Sequence, residues 1–509
     1  MSEARQRLRR ICIAGAGQVA VISAIALRRT LPDAQITVLG LPLDPAAFAD
    51  RAATSLPFTN KLHDRLGIAE ELMIQRAGAS HRLLARYFGW GAEGQTGAMP
   101  YGAQLDAEMR TRFANEWGGG ARRAGDKKPA GSLAEVLADA GRFAVPPGNM
   151  PTPLDDLDYA MRWNVQAYRD LLIAMAQQMG VTHIQGEISA LEPDGDGGLA
   201  AISVQAEGQQ AGRIEADLFL DCSGPAARLL SALPDAKRED WSRLLPRLRL
   251  LNAKPGQGML ALEDRWSLLP EGWLMEFAGV DGLQVTLGIA EGVSEAAALQ
   301  ALNAEPAEML TLAPGAAKEA WSGNVVALGD AAASFEPLGH LNLDLAHRQL
   351  DLLLEMLPGQ TIEPLERAEF NRRASLMATQ VRDTLATHYA APRAWSVFGE
   401  RPVPESLVHV LDQFARRGRL PYRDESALLT QEFMALLGAL GFPAGTTPQS
   451  LGQNPAEAEA ARATFEAQAQ AALQFAPPYQ QYMMQLLQPQ PQSGAAPQGA
   501  GGIAGDLQY

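Results

Sequence analysis

With 509 residues, of which 47% are hydrophobic and 20% charged, the chain can bury a sizeable core and is long enough for more than one lobe. Its formal charge of −15 argues against nucleic-acid or anionic-membrane binding, which need a basic face. No apolar run is long enough to span a bilayer, and a cytoplasmic location is expected. The two cysteines, Cys12 and Cys222, supply neither a disulfide framework nor a thiolate metal cluster, and both read as small core residues.

The first predicted element is an apolar strand running through a bend into a helix: Cys12-Ile13-Ala14-Gly15-Ala16-Gly17-Gln18-Val19-Ala20. Gly15 permits a tight turn, Gly17 lets a pyrophosphate approach the backbone, and Ala20 keeps the helix close to its strand. The helix N-terminus, where Gln18 stands, offers unpaired N–H groups to phosphate. A signal peptide is the competing reading, because Arg5, Arg7, Arg9 and Arg10 precede an apolar stretch reaching Leu27. It is set aside because glycines and Gln18 interrupt that stretch and a second strand, Gln35 to Leu39, completes a βαβ unit. Gly40 follows that strand, where an acidic residue would meet the ribose of a dinucleotide.

Residues 58–88 read as helices, with Leu62, Leu66, Ile68, Leu72 and Ile74 on one buried face. Residues 113–154, rich in Gly, Pro and charge, read as loops around a short helix at Leu133–Ala140. The stretch 158–179 reads as a helix on the spacing of Tyr159, Trp163, Val165, Tyr168, Leu171, Leu172 and Met175. From Ile184 to Leu220 the pattern is strand-like, broken by the turn Asp194-Gly195-Asp196-Gly197-Gly198.

Two more apolar strands end in small-residue turns, one at Asp221-Cys222-Ser223-Gly224 and one at Gly329-Asp330. Ligands of a doubly wound sheet lie beyond the carboxyl ends of its strands. The three turns together therefore predict one FAD site containing Gly15, Gly17, Gln18, Ala20, Gly224, Gly329 and Asp330. The Asp330 carboxylate can accept from sugar hydroxyls or cap a helix, and the two roles are compatible. After Pro364 the pattern turns mainly helical, with Glu457–Ala472 reading as an amphipathic or solvated helix. The final Gln/Pro/Gly/Ala-rich stretch reads as disordered. The expected class is α/β. A doubly wound, Rossmann-like FAD-binding domain with an inserted substrate region covers 1–364, a mainly helical C-terminal region covers 365–487, and a disordered tail covers 488–509.

These motifs resemble the flavin-dependent tryptophan halogenase family, within the wider group of FAD-dependent aromatic monooxygenases. The segment 217–230 is similar to the family's Asp-Cys-Ser-Gly turn, and 321–338 resembles the strand leading to a Glu-Pro-Leu loop over the flavin. Pro57 with Leu66-Gly67-Ile68 resembles an early family segment, and Thr387-His388-Tyr389 with Trp395 resembles the signature of the C-terminal helices. The similarity spans about residues 8–400. It implies FAD as cofactor, an indole-like or other aromatic substrate, and reduced flavin supplied by a separate reductase. In such halogenases reduced flavin and oxygen give a hydroperoxide, halide attacks it, and hypohalous acid passes to a lysine beside the substrate.

By the resemblance that lysine falls on Arg82, which stays protonated and does not readily form a haloamine. The family glutamate after Pro-Leu falls on Gly339, and the next serine on His340. The Trp-x-Trp-x-Ile-Pro segment has no match near Gly272-Trp273-Leu274-Met275-Glu276, and the Gly-Glu-x-Thr strap appears as Ala52-Ala53-Thr54-Ser55. Gly329-Asp330, Pro337, Gly339 and Asn342 are instead similar to a hydroxylase pattern.

Arg82 and His340 are the catalytic candidates, and Pro337 and Gly339 join the flavin contacts. His340 reads either as an acid/base or flavin partner or as a solvent-facing loop residue. His81, Tyr87, Phe88 and Trp90 read as substrate-cavity lining or as plain core. His347 and His388 lack ligand-spaced partners, so no metal is expected. Three functions follow: a halogenase-like oxidoreductase, an NAD(P)H-dependent aromatic hydroxylase, or a catalytically degenerate paralogue serving as a binding or scaffold partner. FAD is expected to bind weakly, because Gly40 and Ala53 lack polar groups, and free tryptophan is expected to be halogenated inefficiently.

Overall fold

A computed structural model describes residues 6–91, 94, 96–102, 131–148, 150–205, 212–447 and 455–488. The expected loop over 113–130 and the tail from 489 onward lie outside the described residues. The apolar run Arg10–Ala14 (β1) lies near the middle of a six-stranded sheet. Its other strands are Gln35–Gly40 (β2), Thr182–Gln185 (β3), Leu218–Asp221 (β4), Trp321–Ser322 (β5) and Val325–Ala327 (β6), in the order β5-β6-β4-β1-β2-β3. All neighbours are parallel except β5 and β6. The registers pair Ala14 with Asp221 and Asp221 with Ala327, so β1, β4 and β6 end level. The three predicted turns therefore lie side by side.

The helix Gln18–Thr30 (α1) follows β1 and is buried from Gln18 through Leu27. Helices Val165–Gln178 and Leu341–Glu355 (α2) pack on α1 as well, which is why α1 is buried on every side as far as Leu27. A seven-stranded sheet forms the second layer. Its strand order is Pro306–Thr311, Arg249–Ala253, Gln284–Ile289, Gly272–Phe277, Glu263–Leu269, Leu84–Phe88, Thr96–Pro100. Only the pair Glu263–Leu269 and Leu84–Phe88 is parallel.

Two helical expectations are corrected. Phe58–Leu66 and Glu70–Ala77 are helices, but Ser80–Arg82 and Leu84–Phe88 are strands. Likewise Ala160–Arg162 is a strand paired with Ser80–Arg82, and the helix begins only at Val165, capped by the Asn164 side chain accepting the Ala167 N–H at 2.9 Å. Both strands are 3 residues long and buried throughout, too short to set a period of two against the helical one.

The helix Leu133–Ala140 forms where expected. The C-terminal helices are Pro364–Tyr389 (α3), Glu405–Arg417, Thr430–Ala439, Pro455–Phe475 and Tyr479–Leu487. Thr430–Ala439 lies against the strand Thr96–Pro100, and Tyr479–Leu487 against Glu70–Ala77. A single apolar cluster joins both large sheets to these helices. Among the described residues no helix is long and apolar enough to cross a membrane.

Candidate functional site

The three turns converge, and what fills the space between them is the chain's own segment 44–52. The Asp50 carboxyl group lies against Gly17, where a Cβ would overlap it. Its Oδ1 accepts the Val19 N–H at 2.9 Å, satisfying one of the orphan donors at the start of α1. Asp44 and Ala47 come within 3.2 Å of where a Cβ on Gly224 would stand, and Ala49 Cβ within 3.5 Å of the same point on Gly329.

Two residues expected at the cofactor hold this segment in place. Gln18 Nε2 donates to Ala49 O at 2.8 Å and Ala52 O at 2.7 Å. Asp330 Oδ2 accepts the Ala49 N–H at 2.7 Å. Ala20 is wholly buried within α1. A carboxylate thus stands where a pyrophosphate would meet the helix N-terminus, and in this arrangement the residues do not accommodate a dinucleotide. Burial pushes the Asp50 carboxyl up to about 7, against the opposing pull of the Val19 N–H and the Arg169 charge. Asp330 is raised well above the carboxylate range, by burial first and further by the charges of Asp50 and Asp44.

The second turn owes its shape to Asp221. Its carboxylate accepts the Ser223 N–H and hydroxyl at 3.1 and 2.6 Å and the Leu229 and Leu230 N–H groups at 2.8 and 2.9 Å. At the end of β2, the Gln185 side chain stands 2.6 Å from where a Cβ on Gly40 would be, covering the expected ribose position.

Arg82 and His340 also meet, through a residue the sequence reading missed. Asp264 forms a buried ion pair with Arg82 and lies 3.1 Å, at Oδ2, from His340 Nε2. Arg82 further donates to Ser55 O at 2.9 Å and to Tyr101 Oη at 3.3 Å. The Phe277 ring centre is 5.7 Å from its guanidinium carbon. The His340 ring sits 5.1 Å from that of Trp266 and 5.0 Å from that of Phe277. No side chain of this cluster belongs to a residue more than 8% exposed, which corrects the solvent-facing reading of His340.

Burial, with the Arg82 charge behind it, holds the His340 imidazole well below its ordinary pKa. It is therefore neutral near pH 7 and donates from Nε2 to Asp264. The signal that locates Asp264 is the alternation of its strand, which buries Asp264 and Trp266 and exposes Arg265. An inward carboxylate requires a partner.

The remaining candidates lie in closely packed surroundings. His81 Nε2 is 2.8 Å from Glu70 Oε1, and its ring packs among Phe143, Tyr159, Tyr479 and Tyr482. Tyr87 and Trp90 pack on His388, while Phe88 lies under the Arg265 guanidinium. Tyr389 donates to Glu336 Oε1 at 2.7 Å and accepts the Trp273 Nε1–H at 3.1 Å. Burial lifts the Glu336 carboxyl to about 7. Pro337 and Gly339 continue the same loop, with Gly339 at φ 76°.

A profile of the tryptophan halogenase family matches residues 10–261 and 285–455. The chain belongs to that family. It is 25% identical over 458 residues to a tryptophan 7-halogenase of Kutzneria sp. (strain 744), covering 82% of this chain and 83% of the relative. It is 22% identical over 463 residues to a tryptophan 7-halogenase of Lentzea aerocolonigenes, covering 80% and 82%. A flavin-dependent halogenase from Xanthomonas campestris superposes with a TM-score of 0.84 at 23% identity, covering 94% of this chain and 99% of that one.

The halogenase fold is therefore this chain's fold: an α/β, Rossmann-like sheet of the FAD-binding type with a helical C-terminal region. The tryptophan halogenase family is one of FAD-using oxidoreductases. In this family member the strap motif is turned inward, with Thr54 Oγ1 donating to Met161 O at 2.6 Å and Ser55 O accepting from Arg82. The His-Tyr signature carries the Tyr389 bond that anchors the Glu336 loop.

Proposed function

We propose that this chain is a catalytically degenerate member of the tryptophan halogenase family, whose function is binding rather than halogen transfer. The observation that carries this reading is the buried Arg82–Asp264 pair. The resemblance places a lysine at position 82, whose amine would have to lose a proton to take up halogen. A guanidinium keeps its proton, and here it is neutralised by a carboxylate and walled by Tyr101 and Phe277. The carboxylate missing at Gly339 is not restored at His340, and the nearby Asp264 carboxylate is taken up by the Arg82 pair. The neighbouring His340 is committed to Asp264. General acid/base assistance of the missing kind contributes about 10²–10⁴-fold to rate.

The test supplies purified protein with FAD, a flavin reductase, NADH, bromide or chloride, and tryptophan or another indole. Mass spectrometry should find no monohalogenated product above a protein-free control. Robust product that disappears in Arg82→Ala would overturn the proposal.

A second reading is a flavin-dependent oxygenase acting on an indole-like or other aromatic compound, with reduced flavin from a separate reductase. It is favoured by the three level turns with Gly15, Gly17 and Gly329-Asp330 in place, and it requires segment 44–52 to leave them. Oxygenated product in the same assay would promote it, whereas NADPH consumption by the protein alone when an aromatic compound is added would favour an aromatic hydroxylase driven directly by a nicotinamide cofactor.

A further inference from the structure

The strongest unexplained feature is a disagreement between motif and packing. The sequence supplies a phosphate-binding turn, and the fold spends it on the chain's own carboxylate. We propose that segment 44–52 is a built-in occupant of the nucleotide cradle, with the Asp50 side chain standing in for a pyrophosphate. The native protein then excludes FAD, and removing that one carboxylate admits it.

Three observations support this. First, the occupation is specific in geometry. Asp50 Oδ1 receives the Val19 N–H, a donor that a helix N-terminus aims at phosphate, and its carboxyl group covers Gly17, the point of closest backbone approach. Second, the occupant is held from both sides. Gln18 bonds the carbonyls of Ala49 and Ala52, Asp330 bonds the Ala49 N–H, and Arg51 pairs with Glu308. These contacts keep the Asp50 side chain at the turn. Third, the charge is of the wrong sign for a phosphate. The charges of Asp50 and Asp44 add to burial in raising Asp330, and burial raises Asp50 itself. Arg169 and Arg238 are the cations that act on Asp50 and Asp330 respectively. A dianionic pyrophosphate would be brought beside carboxyl groups that burial already keeps from ionising, where a further buried anion is disfavoured.

An ordinary mobile strap makes a different prediction. It would open on contact with cofactor, and the wild-type protein would bind FAD with or without Asp50. The inference is separable from the loss of halogenation, because binding is read without turnover.

The experiment titrates FAD, and ADP as a probe of the pyrophosphate half alone, into wild type, Asp50→Ala and Asp50→Ser. Flavin fluorescence quenching and equilibrium dialysis give the affinities. Circular dichroism of each protein establishes that it is folded. Asp50→Ser keeps a hydroxyl at the segment in case Asp50→Ala does not fold. The expected result is no saturable binding to wild type at high micromolar ligand and saturable binding to a folded variant at least tenfold tighter. Low-micromolar FAD binding by wild type, or folded variants that bind no better than wild type, would overturn the proposal. Halogenated product from a variant that binds FAD would sink the degenerate-function reading while leaving this one standing.

Discussion

Arg82 shows how one side chain can be a functional candidate and a structural member at once. Its guanidinium bonds Asp264, Ser55 O and Tyr101 in a space closed to solvent. Breaking a buried pair by removing one partner leaves an uncompensated charge, at about 3–5 kcal/mol. Arg82→Ala is therefore expected to lower unfolding stability by that order in denaturant titrations, with Arg82→Lys losing less. A change below about 1 kcal/mol would mean that water reaches Asp264 and that the cluster is not closed.

Asp50 gives a second residue-scale prediction, in pH. Its folded pKa, about 7, lies above the ordinary carboxylate value near 3.9. The stability tied to its protonated form is full below pH 4 and is lost as pH rises through 7. Asp50→Asn keeps an acceptor for the Val19 N–H but has no charge. Its stability relative to wild type should thus climb by on the order of 4 kcal/mol between pH 4 and 7 and then level off. Parallel pH profiles for the two proteins would contradict a buried, titrating Asp50.

At the scale of elements, the loop 336–340 is tied to α3 through one phenol. Tyr389 bridges Glu336 and the indole of Trp273, so Tyr389→Phe would leave a buried carboxyl and a buried indole N–H without that partner. The expected loss is about 1–3 kcal/mol, read as a lower denaturation midpoint with an unchanged far-ultraviolet spectrum. An unchanged midpoint would show that Glu336 has another partner.

Legibility followed the same scale. Elements with a period or a cap were readable: β1 to β2 through α1, the Leu133–Ala140 helix behind Ser132, and the helices after Pro364. The strands at 80–82, 84–88 and 160–162 were not, because at three to five residues each is too short to show a period. Within the site, glycine turns and the Arg82 position were visible as local strings. Asp264 and Asp50 were not, because their roles come from contacts with residues far away in sequence.

On the whole molecule, the helix Tyr479–Leu487, the last among the described residues, covers an interior wall. Tyr479 accepts the His81 N–H at 2.6 Å, and the same helix packs on Phe143 and Tyr159's neighbours around Glu70. A chain ending at Phe475 should uncover His81, Phe143 and Tyr159. Increased binding of an apolar fluorescent dye and a lower unfolding midpoint are expected, and indistinguishable behaviour would show that this helix is dispensable.

The two consecutive left-handed residues beside the arginine cluster, Gly339 at φ 76° and His340 at φ 58°, have a bearing on reversibility. A glutamate placed at position 339 in that backbone would carry roughly 1–2 kcal/mol of strain. A lysine at position 82 would lose the forked contacts of the guanidinium before gaining anything. The route from this sequence back to a lysine-guided halogenase therefore begins downhill in stability whichever residue changes first. Neither substitution frees the cradle from Asp50. On the proposed reading the present packing behaves as a ratchet: restoring either residue alone brings a penalty and leaves the other departures in place.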